Sequence, residues 1–131
     1  MGRYIAGGAT LDRRVDLLVR QLAAELSGCR WCIEHGLHRW RQAFLPIAEL
    51  GALRRYAASP LFSTRERAAL AFTEAVTLMA GDHVPDAAYE AVAAHYGPDE
   101  VAALLSLIIM INAWNAVGVA THAWTPGSYE R

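Results

Sequence analysis

The stretch AAELSGCRWCIEHGLHRW, residues 23–40, contains both cysteines of the chain, two of its five histidines and two of its four tryptophans. Its residues favour helix on both sides of Ser27-Gly28, a pair that interrupts a helical pattern. Cys29 therefore falls at the start of a new helix, and Cys32 follows one turn later. Because residues three apart on a helix are neighbours on its surface, we expect the two sulfurs to lie within reach of each other.

The position at a helix start affects the acidity and the reactivity of the two cysteine thiols. The first amide groups of a helix have no partner within it, and with the positive end of the helix dipole they stabilise a thiolate. This lowers the pKa of the thiol and makes the sulfur a nucleophile. We therefore interpret Cys29 and Cys32 as a redox dithiol. The alternative is a pair of inert cysteines, since cysteine is among the residues most often buried.

A zinc site is a second interpretation of the same stretch. Cys29, Cys32, His35 and His38 form the pattern C-x2-C-x2-H-x2-H, which contains suitable ligand types. On one continuous helix, however, each step of three residues turns about 300°, so the four side chains spiral around the axis over roughly 13 Å. They cannot converge on one ion at ligand distances near 2 Å. The spacing argues against a zinc site on this helix alone, and a partial site completed by another chain stays open.

Three polar side chains are candidates for moving a proton at the dithiol. His35 is the histidine next to Cys32 on the predicted helix surface, and an imidazole can take a thiol proton near neutral pH. A plain surface histidine is the alternative interpretation of His35. Glu34 lies beside the dithiol in sequence and could tune it. Glu74 lies in an apolar helix, where a half-buried carboxylate could accept the proton.

Outward from this stretch the chain favours helices throughout, because alanine and leucine dominate and the alternation typical of strands is absent. Thr10 is the predicted N-cap of the first helix, and Ser63 and Glu66 form a capping box before a later one. The predicted helices cover about 11–26, 29–44, 46–58, 63–81, 85–97 and 98–118, before a tail at 125–131. We expect an all-α single-domain bundle of about six helices over residues 1–131, with a core of about 11–120 and the CxxC at a helix N-terminus.

The composition is that of a globular protein and excludes some partners. Hydrophobic residues make up 54% of the 131 residues, charged residues 19%, and the net charge is −1. The basic residues form no extended surface of the kind that binds nucleic acid. The first ten residues contain no apolar run of signal-peptide length, so we expect a cytoplasmic protein.

The stretch VAALLSLIIMINAWNAVGVA, residues 101–120, has the length of a membrane span and no charge. Asn112 and Asn115 within it, and the absence of flanking lysine or arginine, favour a buried core helix instead. If buried, both amides need hydrogen-bond partners, either in the core or an interface or in a pocket over the dithiol. Because the helix is apolar on every side, it requires more burial than one small domain supplies, and we expect a homo-oligomer.

The motif SGCRWCIEHG, residues 27–36, resembles the redox core of the carboxymuconolactone decarboxylase family, in its alkyl-hydroperoxidase-D-like branch. RERAALAFTEAVT (65–77), HVPD (83–86) and INAWN (111–115) are similar to the rest of that domain. The resemblance covers about residues 11–120. It implies an all-α fold that assembles into trimers or hexamers, with no bound cofactor. It also implies an oxidoreductase, a thiol-dependent peroxidase of the peroxiredoxin type.

The resemblance also implies roles for the two cysteines. Cys32 attacks the hydroperoxide, and Cys29 closes the disulfide and exchanges with an external dithiol reductant or reductase protein. A sulfenic acid on one sulfur that condenses with a neighbouring thiol agrees with the chemistry expected from the spacing.

This sequence departs from the family pattern at two positions. The pattern CxxCxxxH would place a histidine at position 36, where this chain has Gly36, with His35 one place early. A glutamate about a dozen residues before the first cysteine falls on Leu17, with Asp16 beside it as a possible replacement. The proton relay is therefore displaced or absent. A non-catalytic or weakly active oligomeric binding protein of the same fold is the alternative to a peroxidase.

Overall fold

The computed structural model describes residues 11–122 and consists of helices over that range. Seven are α-helices, and one, between the third and fourth, is a 3₁₀ helix. They are α1 Arg13–Ser27, α2 Arg30–Gln42, α3 Ile47–Ala52, the 3₁₀ helix Leu53–Ala58, α4 Thr64–Thr77, α5 Met79–Asp82, α6 Asp86–His95 and α7 Pro98–Thr121. The all-α prediction is confirmed. The predicted third and fourth helices each divide in two, which raises the count above six.

Helix ends follow local capping chemistry. Asp12 is the N-cap of α1, and its Oδ1 accepts a hydrogen bond from the amide of Val15 at 2.8 Å. The predicted cap Thr10 and the tail at 125–131 lie outside the described residues. The capping box before α4 is present, since the amide of Glu66 donates to Ser63 Oγ at 3.1 Å and the amide of Ser63 donates to Glu66 Oε1 at 2.9 Å. Such caps contribute about 1 kcal/mol each.

Helix α1 is central to the bundle and packs against α2, α4 and α7. One core cluster joins Val19 of α1 to Leu104, Leu107 and Ile108 of α7, all of them fully buried. A second cluster is formed around Trp40 at the end of α2. Because α1 is covered on several sides, polar residues on it must find partners inside the protein.

Helix α7 is buried on one face only within a single chain. It is long and apolar enough to cross a membrane by length and composition. Its Leu107 is fully buried against the core, whereas Leu105 is 37% exposed and Ile109 is 58% exposed. The expected burial therefore holds for the face that packs on α1, and an apolar face is left uncovered in the single chain.

Candidate active site

Cys29 and Cys32 are joined as a disulfide at the N-terminus of α2, with their Cα atoms 5.2 Å apart. Gly28 ends α1 in the left-handed conformation at φ 71°, which glycine adopts without strain, and turns the chain into α2. Cys29 is the N-cap of α2, and its sulfur accepts a hydrogen bond from the amide of Cys32 at 3.3 Å. The predicted CxxC at a helix N-terminus is confirmed, and both sulfurs lie within the first turn.

The two sulfurs differ in how easily a molecule can reach them. Cys29 is 1% exposed and packs with Cys32 and Ala24 in a small apolar cluster. Cys32 is 6% exposed and lines a cavity that Cys29 does not line. A molecule that enters from solvent through this cavity therefore meets the sulfur of Cys32 first.

The cavity beside Cys32 has a volume of about 190 Å³. Its wall comes from three helices, α1, α2 and α7, and combines aliphatic, aromatic and basic side chains. The lining residues are Leu17, Arg20, Trp31, Cys32, His35, Gly36, Arg39, Ile111 and Trp114. Two predicted site residues, Cys32 and His35, are thus brought together in one wall.

Asp16, a predicted relay residue, lies behind the cavity and pairs with two of its arginines. It is buried, and its Oδ1 accepts a hydrogen bond from Arg20 Nε at 2.8 Å. Its Oδ2 lies 3.6 Å from Arg39 Nη2. A carboxylate that contacts two guanidinium groups fixes their positions. Asp16 is therefore placed to orient Arg20 and Arg39, and it does not line the cavity itself.

His35 lines the cavity with its ring stacked on Trp31, at a centroid distance of 5.0 Å and an interplanar angle of 7°. Burial lowers the pKa of His35 below that of an ordinary imidazole, and the positive charges of Arg39 and Arg20 lower it further, with a contribution from His38. A lowered pKa keeps the ring neutral near pH 7. A neutral imidazole in this wall is in the state that accepts a proton.

Leu17 and Gly36, the two positions that depart from the resembled family, both line the cavity. The space beside Gly36 is already filled, because a Cβ at that position would overlap Oε1 of Gln21. Gln21 is buried on α1, and its Nε2 donates to the carbonyl of Ile33 at 3.4 Å. Sequence reasoning missed Gln21. Its signal in the sequence is an amide that follows Arg20 within the otherwise apolar segment 17–24.

The remaining predicted residues lie elsewhere. Glu74 accepts a hydrogen bond from the hydroxyl of Tyr56 at 2.5 Å and lines a different cavity. This contact and burial raise the pKa of Tyr56, with burial the larger cause. Glu34 is partly exposed on α2 and does not line the cavity beside Cys32.

Asn112 and Asn115 face a second cavity, of about 430 Å³, that Cys32 does not line. Asn112 Nδ2 donates to Thr77 Oγ1 at 2.9 Å, and Asn115 Nδ2 donates to Asn112 Oδ1 at 3.1 Å. Ser27 Oγ at the end of α1 also donates to Asn112 Oδ1 at 3.5 Å, so the two amides partner each other, α4 and α1. Within residues 11–122, no three His, Cys, Asp or Glu side chains come together as a metal site.

Among comparisons with known proteins, the one with a solved structure agrees with this fold. No protein-family profile matches the chain. The uncharacterized protein YdfG of Bacillus subtilis is 27% identical over 112 residues, which are 86% of this chain and 76% of that protein. A crystal structure from Agrobacterium tumefaciens superposes with a TM-score of 0.87 at 27% identity and covers 95% of this chain and 84% of that one. That protein is described as one of unknown function with a suggested antioxidant defence role of the AhpD type.

The fold and the site define a class. This chain has the AhpD-like all-α fold, with a CxxC disulfide at the junction of its first two helices.

Proposed function

We propose that this protein is a thiol-dependent peroxidase of the alkyl-hydroperoxidase-D-like branch of the carboxymuconolactone decarboxylase family. It reduces organic hydroperoxides through a dithiol/disulfide cycle of Cys29 and Cys32. The observation that carries the proposal is the disulfide at a helix N-terminus with Cys32 lining a cavity and Cys29 buried behind it. The antioxidant role suggested for the similar Agrobacterium tumefaciens protein supports the same reading.

The oxidative half of the cycle uses Cys32 as the nucleophile. Its thiolate attacks the terminal oxygen of ROOH, the O–O bond breaks, and RO⁻ leaves with the bonding electron pair. Cys32 becomes a sulfenic acid, and RO⁻ takes a proton to give ROH. The thiol of Cys29 then attacks the Cys32 sulfur, and the disulfide forms with release of water. His35, neutral and in the same wall, accepts the thiol proton of Cys32 and can return it to RO⁻.

The reductive half needs an external dithiol, and no bound cofactor is required. A reductant thiolate that enters the cavity reaches the Cys32 sulfur, and its attack there releases the Cys29 thiolate. This leaving group is stabilised at the N-cap of α2, where the Cys32 amide points at the Cys29 sulfur. The second thiol of the reductant closes its own disulfide and restores both cysteines. The sulfur attacked is thus Cys32, rather than the Cys29 that the resemblance implies.

The proposal includes a cytoplasmic homo-oligomer, a trimer or a pair of trimers. The uncovered apolar face of α7, with Leu105 and Ile109 exposed, supports assembly through this helix. Its partners are a hydroperoxide and a dithiol reductant or reductase protein, and neither nucleic acid nor a membrane takes part.

A turnover assay tests the proposal. The reduced protein is mixed with cumene hydroperoxide and each of several dithiol donors, and peroxide loss is measured over time. We expect sustained turnover by the natural chain and none by Cys32→Ser. Arg13→Met, an exposed change on α1, is the matched control and should leave turnover unchanged. Equal rates for the natural chain and Cys32→Ser, with every donor, would contradict the proposal.

An inactive binding protein of the same fold is a second candidate, and one observation favours it. The two cavity positions that carry the proton relay in the resembled family are Leu17 and Gly36, neither of which moves a proton. The two candidates differ in the reactivity of the reduced thiols. A catalytic Cys32 should react quickly with iodoacetamide below pH 7, whereas an inert pair should react only near the ordinary thiol pKa of about 8.5.

A further inference from the structure

Resting on the proposed function, we propose that the cavity beside Cys32 selects an organic molecule with an apolar body and a carboxylate. The apolar body lies against the aliphatic and indole walls, and the carboxylate faces Arg20 and Arg39. Three properties of the cavity support this inference: its size, its apolar wall and its charge.

The cavity is larger than a molecule of hydrogen peroxide requires. Its volume is about 190 Å³. A water molecule takes about 30 Å³ in the liquid, and a cavity of about 150 Å³ with apolar walls holds benzene. The space beside Cys32 is therefore suited to a molecule about as large as a substituted benzene ring.

The wall is apolar over most of its extent. Leu17 and Ile111 supply aliphatic surface, and the indoles of Trp31 and Trp114 supply aromatic surface. Trp114 is more than half exposed, which places its ring where the wall meets solvent. Such surface favours an aromatic or branched alkyl body over a small polar peroxide.

The charge of the wall selects the polar end of the ligand. Arg20 and Arg39 line the cavity, and none of its nine lining residues is a carboxylate. Asp16, which contacts both guanidiniums, does not line the cavity. The charges of Arg39 and Arg20 also reach the His35 ring, whose pKa they help to lower. Guanidinium groups held in place by a buried acid are suited to a carboxylate in a pocket of low polarity.

Binding to the disulfide form tests this inference without turnover. The probes are 4-(2-hydroxypropan-2-yl)benzoate, its neutral amide and 2-phenylpropan-2-ol, followed by tryptophan fluorescence and calorimetry. We expect the acid to bind at least ten times more tightly than either neutral probe. Equal affinities would overturn the inference. This comparison uses the natural chain, so it holds even where a variant fails to fold.

Variants assign the preference to the arginines. Arg39→Met and Arg20→Met should each weaken binding of the acid about tenfold and change binding of 2-phenylpropan-2-ol less than twofold. Arg13→Met, exposed on α1, should change neither. If the acid binds the Arg39→Met and Arg20→Met proteins as tightly as the natural chain, the carboxylate does not face these arginines and the inference is overturned.

Two kinetic arms distinguish the source of the carboxylate. In one, 4-(2-hydroperoxypropan-2-yl)benzoate is compared with cumene hydroperoxide at fixed dithiothreitol. In the other, dimercaptosuccinate is compared with dithiothreitol at fixed cumene hydroperoxide. A lower KM for the charged member in the first arm assigns the carboxylate to the peroxide, and in the second arm to the reductant. Acid-selective binding with no turnover in either arm would uphold the cavity inference and contradict the peroxidase.

Discussion

Gly36→Ala is expected to destabilise the protein, although alanine in a helix interior is normally better than glycine by about 1 kcal/mol. Position 36 lies within α2, and a Cβ there would overlap Oε1 of Gln21. Moving Gln21 away strains a packed region, at a cost of about 1 to 3 kcal/mol. It also breaks the hydrogen bond to the carbonyl of Ile33, worth about 1 kcal/mol. The net loss of unfolding free energy is then about 1 to 3 kcal/mol.

Urea unfolding of the natural chain, Gly36→Ala, Gln21→Ala and the double variant measures this coupling. In the Gln21→Ala background the obstruction is gone, so adding Gly36→Ala should stabilise by up to about 1 kcal/mol. Gly51→Ala is the matched control, because that glycine is also helical and its Cβ would meet open space. It should stabilise the natural chain. If Gly36→Ala stabilises as much as Gly51→Ala, Gln21 does not fill the space beside position 36.

Other consequences are measurable. Cys29→Ser treated with peroxide should hold a sulfenic acid on Cys32 that dimedone traps, and trapping of the natural chain at equal yield would speak against Cys29 as the resolving thiol. His35→Ala should slow alkylation of Cys32. In the natural chain the rate of Cys32 alkylation should fall only when the pH drops below about 6.5, because the His35 ring stays neutral down to its lowered pKa. An unchanged pH profile in His35→Ala would exclude His35 as the base. Leu107→Asp should cost several kcal/mol, because Leu107 is fully buried in one chain. Ile109→Asp should instead leave the chain folded and dissociate the oligomer in light scattering, and a natural chain that scatters as a monomer would refute assembly.

The helix boundaries at the dithiol were predictable because they depend on local chemistry. Ser27-Gly28 interrupts the pattern, glycine adopts the left-handed turn, and the next residue caps α2. The spacing of Cys29 and Cys32 on that helix then dictates that their sulfurs meet. No other part of the chain is needed for this inference, so the sequence alone was sufficient.

The composition of the cavity was not predictable because it depends on how helices pack. The sequence indicates Asp16 as a possible relay, but only the packing of α2 on α1 brings Arg39 to the same carboxylate as Arg20. The sequence correctly predicts that Asn112 and Asn115 share one long helix, yet their neighbours Ile111 and Trp114 line the dithiol cavity instead. Periodicity gives the relative phase of residues on a helix, and it does not say which face meets which neighbour.

A single turnover of the reduced protein with one equivalent of cumene hydroperoxide, without any dithiol, examines the chemistry of Cys29 and Cys32 in isolation. Intact mass and quantified 2-phenylpropan-2-ol are recorded on the same sample. We expect the protein to lose two hydrogen atoms, with the Cys29–Cys32 disulfide formed and one alcohol released per disulfide. Both thiols intact after the peroxide is added, or a stable sulfinic acid on Cys32 with no disulfide, would contradict a dithiol peroxidase.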